Sequence, residues 1–238
     1  MHVYINLILQ ITNRKKQITM IHFSSKFNKV ASILGHYSQN VLRMEPSIYS
    51  AGINYVKRNG GVLTNKILDN YGYKFYKQGK QNNLNTLIDV RLFYDMQIND
   101  YPSYPGWHAD FDGSKIDNKP RGEHLVCSLS SHPEGVSNTR FYKGDVEIPM
   151  TDGLVTWQSV HKYMTDIESK EPNNFYDAKD GEIIILDNET LHTSTPAINR
   201  GVRLFMRMTH TDAEISEEDG KLSNQIAVYR LVDDIPGF

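Results

Sequence analysis

The chain has 238 residues, 39% of them hydrophobic, which is enough for one domain with a single sizeable core. Its 26 basic and 28 acidic residues give a net charge of −2, so no overall cationic field attracts a nucleic-acid backbone, and a nucleic-acid partner is disfavoured. The single cysteine, Cys127, permits no internal disulfide, which suits a reducing, cytoplasmic location.

The first twelve residues are largely apolar, but Arg14, Lys15 and Lys16 follow them, whereas a secretory signal carries its basic residues first. The run is also too short to span a bilayer, so no membrane association is expected. We interpret residues 1–19 as an N-terminal extension or as a strand packed on the domain, with Met20 as an alternative start of translation.

Two helices are predicted before residue 85. In the first, apolar residues recur at helical spacing at Phe27, Val30, Ile33 and Leu34. Ser24 and Ser25 are its N-cap candidates, and Gly35 marks its end. The second helix is predicted over residues 62–71 and ends at Gly72. The polar residues 79–85 predict a loop.

From residue 86 onwards, alternation with a period of two predicts β-strands. In the strand at 86–98, one face carries Ile88, Val90, Leu92 and Tyr94, and the other carries Asp89, Arg91, Phe93 and Asp95. Further strands are predicted at 123–130, 135–142, 182–186, 190–194 and 202–210. Residues 212–222 predict an exposed acidic loop, and 224–232 one more strand or a short helix.

The stretch 104–111 and the segment around His192 carry the residues that indicate chemistry. His108 and Asp110 are two residues apart, so on an extended strand they project from the same face and can meet at one point. His192, at the end of another predicted strand, supplies a third ligand. Two histidines and one carboxylate are typical of non-haem Fe(II) oxygenases. We therefore predict His108, Asp110 and His192 as metal ligands and catalytic residues.

Arg203 strengthens this prediction, because ten residues separate it from His192. An arginine that faces the inside of a barrel is costly unless it meets an anion, and a carboxylate held by paired hydrogen bonds is a natural partner. With these four residues the sequence resembles the Fe(II)/2-oxoglutarate-dependent dioxygenases, whose pattern is H-x-D followed by H-x10-R. The resemblance covers residues 86–210.

The resemblance implies a mainly β domain with flanking helices, built as a double-stranded β-helix, the jelly-roll barrel of the cupins. Residues 1–85 would form an N-terminal extension and buttressing helices, 86–210 the barrel core, and 211–238 a C-terminal segment. It also implies Fe(II) as the metal, 2-oxoglutarate and O2 as cosubstrates, and succinate as a product. Arg203 would pair with the C5 carboxylate of 2-oxoglutarate, and Thr139 would face this cosubstrate.

Two residues bear on the reaction and its substrate. Related halogenases replace the metal-binding carboxylate with a small residue, so Asp110 favours hydroxylation, desaturation or a related oxidation. Arg207 completes the H-x10-R-x3-R spacing that resembles the taurine dioxygenase-like members. It would bind an anionic group of the substrate or, alternatively, close a salt bridge at the end of the barrel. Strand parity alone leaves open whether Arg91 faces inward.

Three further features have two interpretations each. Tyr101, Tyr104 and Trp107 either line a substrate mouth, which makes Tyr104 and Trp107 candidate substrate-binding residues, or cover the edge of the core. His124 and His132 have no partner at ligand spacing and are interpreted as structural or solvated. Residues 160–179 form either a lid over the metal or a solvated helix and loop.

Two alternative functions remain open. A cupin-type barrel that binds a metal or a sugar-like ligand without turnover would release no succinate and would not need Arg203. An oxygenase acting on a protein side chain or a nucleic-acid base would need a basic groove or a binding appendage. The balanced charge favours a small substrate, anionic or amino-acid-like, and the sequence leaves the oligomeric state open.

Overall fold

The computed structural model describes residues 20–103, 105–110, 122–149, 156–223 and 229–230. Several predictions lie outside these residues. They concern the N-terminal segment 1–19, Tyr104, most of the polar stretch after Asp110, and most of the C-terminal segment from residue 224.

The described chain is mainly β. Its strands are β1 (Met20–Ser25), β2 (Phe27–Ser32), β3 (Ser47–Ala51), β4 (Asn85–Met96), β5 (Asp100–Tyr101), β6 (Glu123–Ser130), β7 (Thr139–Tyr142), β8 (Gly144–Pro149), β9 (Phe175–Asp177), β10 (Glu182–Asp187), β11 (His192–Ser194), β12 (Gly201–Thr211), β13 (Lys221–Ser223) and β14 (Tyr229–Arg230). Its helices are α1 (Gln39–Leu42), α2 (Ile53–Asn59), α3 (Val62–Ile67), a π-helical turn (Leu68–Gly72), α4 (Tyr73–Gln81), α5 (Trp157–Lys170) and a 3-10 turn (Pro172–Asn174).

The main sheet has seven strands in the order β13-β3-β4-β12-β6-β10-β2, and every pairing between them is antiparallel. The long strands β4 and β12 lie side by side near its centre, in agreement with the prediction of strands at 86–98 and 202–210. Three smaller sheets, β11-β7-β9, β1-β8 and β14-β5, complete the described strands. Large antiparallel sheets therefore dominate, as the predicted fold class requires.

The two faces of the main sheet have different neighbours. On β4, Ile88, Val90 and Leu92 are at most 1% exposed and belong to the principal core cluster, together with apolar residues of α2, α3 and α4. Burying this face against helices is favourable because each large apolar side chain removed from water contributes about 1.5–3 kcal/mol. The opposite face carries Arg91 and Phe93 of β4 and the predicted site residues Arg203 and Arg207 of β12, and a cavity lies against it.

The helix predicted near residues 27–35 is wrong, because residues 27–32 form β2 at the edge of the main sheet. Phe27 to Ser32 pairs with β10, and the register shifts between Ile183 and Ile184. Ser25 caps no helix: its hydroxyl donates to the carbonyl of Tyr142 (2.6 Å) and accepts from the backbone N–H of Leu191 (3.0 Å). Pairing with β10 thus overrides the local apolar spacing.

The second predicted helix does not end at Gly72. The chain continues from α3 through the π-helical turn into α4, which ends at Gln81. A side chain at Gly72 would bring its Cβ to 2.8 Å from Cδ1 of Leu68 and 2.9 Å from the sulfur of Met208. This glycine therefore lets the helices approach β12 closely and does not act as a C-cap.

Helix α5 occupies much of the segment predicted as a lid or a solvated helix and loop. It begins with a capping box between Thr156 and Ser159, and its residues Val160 and Met164 are fully buried in a second apolar cluster. One face of α5 thus packs on the domain.

Within the described residues, no helix combines the length and the apolar character needed to cross a bilayer.

Candidate metal centre

His108 and His192 are held opposite each other by their backbones. They form an antiparallel bridge in which the N–H of His108 donates to the carbonyl of His192 (3.0 Å) and the N–H of His192 donates to the carbonyl of His108 (2.8 Å). Their ring centroids are 4.4 Å apart. The two imidazoles are therefore placed by one local pairing of chain segments that are far apart in the sequence.

Both imidazoles present the same nitrogen to the cavity. Nδ1 of His108 lies 2.8 Å from the carbonyl oxygen of Gly106, and Nδ1 of His192 lies 2.9 Å from that of Thr190. A carbonyl oxygen can only accept, so each Nδ1 carries a proton, and in the neutral form of such an imidazole Nε2 is the nitrogen with the free lone pair. Such a bond to the remote nitrogen fixes the tautomer and orientation of a metal-binding histidine.

Asp110 completes the cluster, as its spacing from His108 predicted. Its carboxylate and the two imidazoles place ligand atoms that all lie within 4.8 Å of one another. Oδ2 of Asp110 is 3.9 Å from Nε2 of His192. Two imidazole nitrogens and one carboxylate oxygen suit a divalent iron ion and leave further coordination positions for exogenous ligands.

The ionisation states of His108 and Asp110 also suit a metal. Burial, with His192 nearby, lowers the pKa of His108 to about 4, so this imidazole is neutral at neutral pH. Burial alone would raise the pKa of the Asp110 carboxyl, but the neighbouring His192 and Arg207 hold this pKa well below its ordinary value. A neutral imidazole and an ionised carboxylate are the forms in which these side chains bind a metal.

Arg203 enters the same cavity from the main sheet. Its side chain is 3% exposed, and its Nη2 donates to the hydroxyls of Ser128 (2.8 Å) and Thr139 (3.2 Å). Its Nε is buried with no hydrogen-bond partner among the described residues. The rings of Phe93 and Phe205 lie 6.0 and 5.4 Å from the guanidinium carbon. A buried cation with an unused donor fits an anionic ligand.

The cavity brings most of the predicted site residues together. Its lining includes His108, Asp110, Thr139, His192, Arg203 and Arg207. Trp107 is not among them: it is 2% exposed, and its ring packs edge-on at 5.2 Å against Phe175 in the second apolar cluster. As the neighbour of His108 it projects to the opposite side of the chain. Tyr101 and Trp107 together line an adjacent pocket, and Tyr104 lies outside the described residues.

Arg207 is the basic residue nearest to the ligand cluster. Its Nη1 donates to Oδ2 of Asp110 (3.1 Å) and its Nη2 donates to Oδ2 of Asp89 (3.2 Å). Asp89 also accepts a hydrogen bond from the backbone N–H of Ser50 (3.0 Å). A chain of charge-assisted hydrogen bonds therefore links the main sheet to the candidate metal-binding carboxylate.

Sequence reasoning missed two neighbours of the site. His124 is 4% exposed, which excludes the solvated interpretation, and its Nε2 lies 3.9 Å from Oδ2 of Asp110. Its Nδ1 lies 3.0 Å from the hydroxyl of Thr209, the residue opposite it on β12. Ser128, which contacts Arg203, was also overlooked. Only the register between β6 and β12 reveals both residues.

Helix α5 contacts the back of the ligand segment. The backbone N–H of Trp107 donates to Nδ1 of His161 on this helix (3.3 Å). Burial lowers the pKa of His161, although Glu168 opposes this shift. A neutral imidazole is the form whose nitrogen can accept this bond. The helix thus helps to fix the backbone next to His108.

Comparisons with known proteins give structural likenesses at low identity. No protein-family model matches the chain, and no curated protein sequence matches it. AviO1 from Streptomyces viridochromogenes Tue57 matches with a TM-score of 0.43 and 10% identity over 81% of this chain and 92% of that chain. EvdO2 from Micromonospora carbonacea var. aurantiaca, crystallised with 2-oxoglutarate, gives 0.38 and 13% over 77% of this chain and 71% of that chain.

HygX from Streptomyces hygroscopicus was crystallised with nickel, 2-oxoglutarate and hygromycin B. It matches with a TM-score of 0.39 and 12% identity over 82% of this chain and 86% of that chain. At these TM-scores and identities the likenesses do not establish a shared activity.

Proposed function

We propose that this protein is an Fe(II)/2-oxoglutarate-dependent oxygenase with a double-stranded β-helix core. The observation that carries the proposal is the convergence of two different binding elements on one cavity. One is the cluster of His108, Asp110 and His192, and the other is the buried Arg203 with its unused donor. A metal-binding protein without turnover would need only the first element.

In this proposal the chain's own residues hold and orient the reactants. Nε2 of His108, Nε2 of His192 and the carboxylate of Asp110 bind Fe(II). Arg203 binds the C5 carboxylate of 2-oxoglutarate, and the hydroxyls of Ser128 and Thr139 keep the guanidinium in place. Bound Fe(II) would supply the chemistry that couples decarboxylation of 2-oxoglutarate to succinate with oxidation of a substrate C–H bond.

The rings of Phe93 and Phe205 shield the Arg203 side chain from water. Excluding water strengthens the attraction between the guanidinium and a carboxylate, because both charges then lie in a medium of low dielectric constant. Since Asp110 is present, hydroxylation or a related oxidation is the proposed outcome. A small, anionic or amino-acid-like molecule is the proposed substrate.

Metal and cosubstrate binding can be tested apart from turnover. Mn(II) and then 2-oxoglutarate are titrated by calorimetry into the wild-type protein under anaerobic conditions. We expect both to bind, with 2-oxoglutarate binding dependent on Mn(II). His192→Ala should abolish Mn(II) binding, whereas Arg203→Ala should keep Mn(II) binding and weaken 2-oxoglutarate binding at least tenfold, or by about 1.4 kcal/mol.

Exposed residues elsewhere in the chain provide matched controls. His22 lies on β1 with a 57% exposed side chain, and Arg43 forms an exposed ion pair with Asp95. His22→Ala and Arg43→Ala should bind both ligands as the wild type does. Succinate release is then measured with Fe(II), O2 and a panel of amino acids, carboxylic acids, peptides and nucleosides. Metal binding without succinate would favour the cupin-type alternative, and coupled succinate release by His192→Ala would refute the proposal.

A further inference from the structure

Three arginines line the cavity, and they differ in how far their hydrogen-bond donors are used. Arg203 and Arg207 lie on β12, and Arg91 lies on β4 directly opposite Phe205. All three therefore lie on one face of the main sheet. Arg91 is diagonal to both other arginines, at a typical Cα separation of roughly 7–8 Å for such positions.

Arg207 is occupied. Its two terminal nitrogens donate to the carboxylates of Asp110 and Asp89 at 3.1 and 3.2 Å. Its buried Nε has no hydrogen-bond partner among the described residues, so Arg207 keeps spare donors. A substrate anion at Arg207 would nevertheless lie beside the carboxylates of Asp110 and Asp89 and compete with them for the same guanidinium, and displacing either would leave a charged group without its partner, which is costly.

Arg91 is largely uncommitted. Among the described residues its nearest carboxylate oxygen, on Asp89, is 3.9 Å away, and its buried Nε has no hydrogen-bond partner. Its guanidinium lies 5.6 Å from the ring of Tyr49, and its side chain is 31% exposed. A small solute can therefore reach this guanidinium, whereas the side chain of Arg203 is enclosed between two aromatic rings.

We infer that Arg91 binds an anionic group of the prime substrate, and that Arg207 is a positioning residue that holds Asp110 for the metal. This inference rests on the proposed function and deepens it by naming the substrate class. The substrate is a small molecule with a carboxylate, sulfate or phosphate group close to the carbon that is oxidised. The anionic group and the oxidised carbon are expected to be close together because Arg91 is diagonal to Arg207, which is hydrogen-bonded to the candidate metal ligand Asp110.

Substitutions separate the two roles. Arg91→Gln should leave the Mn(II) and 2-oxoglutarate affinities within about twofold of wild type, because Arg91 contacts neither the ligand cluster nor Arg203. Arg207→Gln should weaken Mn(II) binding about 10- to 100-fold, as is usual when a group that orients a metal ligand is lost. Arg91→Lys keeps the charge and should retain part of the anion binding, and Arg43→Gln is the control.

The probes are acetate, sulfate and inorganic phosphate, titrated by calorimetry into the protein with Mn(II) and 2-oxoglutarate bound. We expect the wild type to bind at least one of them, and Arg91→Gln to bind it at least tenfold more weakly. The anion bound best identifies the type of acidic group. Succinate release is then measured with a panel of small molecules carrying that group, and Arg91→Gln should raise the KM for an active substrate more than it lowers kcat.

Three results would overturn the inference. The first is wild-type anion affinity in Arg91→Gln, and the second is no binding of any probe by the wild type. The third is normal Mn(II) binding with lost anion binding in Arg207→Gln, which would give the substrate role to Arg207. Failure of the wild type to bind Mn(II) or 2-oxoglutarate would instead refute the proposed function. Titrating the anions into the metal-free protein would then test Arg91 by itself.

Discussion

Replacing Arg203 by methionine should stabilise the protein and at the same time remove 2-oxoglutarate binding. The guanidinium is buried, and its only hydrogen-bond partners among the described residues are the hydroxyls of Ser128 and Thr139. A charge kept in such a place costs folding free energy, which a binding function explains. Methionine is flexible and can fill the space between Phe93 and Phe205.

The expected change in the free energy of unfolding is worked out from the ionisation of Arg203. Burial lowers its pKa to about 10, and Asp180 nearby offsets only part of this effect. At about 1.4 kcal/mol for each tenfold change in the protonation equilibrium, the buried charge costs on the order of 3 kcal/mol. Because the pKa is depressed in the folded state, the full cost applies at every pH below about 10 and declines only as the pH rises further.

Loss of the two hydrogen bonds to hydroxyl groups offsets about 1 kcal/mol or less each. The net gain in the free energy of unfolding should therefore be about 1–2 kcal/mol. For a domain of this size, such a gain raises Tm by roughly 2–8 °C. The sign of the change is the important result, because most substitutions of buried residues destabilise.

The assay combines urea denaturation with thermal unfolding at pH 7.5, each followed by circular dichroism. Mn(II) plus 2-oxoglutarate should raise Tm further for the wild type than Mn(II) alone, whereas Arg203→Met should show no added effect of 2-oxoglutarate. Arg43→Met, at an exposed ion pair, should change the free energy of unfolding by less than about 0.5 kcal/mol. A loss of more than about 1 kcal/mol in Arg203→Met would show that the guanidinium supports the fold, and the reasoning would fail.

Two further predictions concern the helices behind the main sheet and the ligand segment. Glu45 is 2% exposed and accepts hydrogen bonds from the backbone N–H groups of Leu63 (2.7 Å) and Thr64 (3.1 Å) at the start of α3. Because Glu45→Ala leaves these groups without their acceptor, it should lower the free energy of unfolding, measured by urea denaturation, by about 2–4 kcal/mol. An unchanged denaturation midpoint would contradict this. His161→Ala removes the acceptor for the Trp107 N–H and should weaken Mn(II) binding by up to about tenfold, whereas His161→Asn, which keeps an acceptor, should weaken it less. Equal affinities in the two variants would show that this contact does not matter.

The ligand cluster was predictable because it depends on rules that act over short distances. The spacing of His108 and Asp110 fixes a common side, and alternation along β4 and β12 places Arg203 and Arg207 on one face. The same rule applied to Trp107 would have assigned it to the opposite side from His108. Trp107 lines a separate pocket together with Tyr101, so its assignment to the substrate mouth stays a prediction.

Features that depend on pairing between distant segments were not predictable. The apolar spacing in residues 27–34 is compatible with a helix, and only the edge of β10 makes β2 a strand. The role of His124 follows from its position opposite Thr209, which spacing along the chain does not contain. Likewise, Gly72 is a glycine because Met208 on another element leaves no room for a side chain, and this contact is not visible in the local sequence, which suggested a helix end.

The length of strand β12 cannot change by one residue without moving its side chains to the opposite face of the sheet. Arg203, Phe205 and Arg207 face the cavity at alternate positions, while Leu204 and Met206 are buried on the other face. Inserting or deleting one residue after Gly201 would exchange the two sets, placing aliphatic side chains beside the candidate metal ligands and guanidinium groups in the apolar core. Descendants of this sequence can therefore vary β12 by substitution, whereas a single-codon insertion or deletion within it would disrupt the candidate site and the core together.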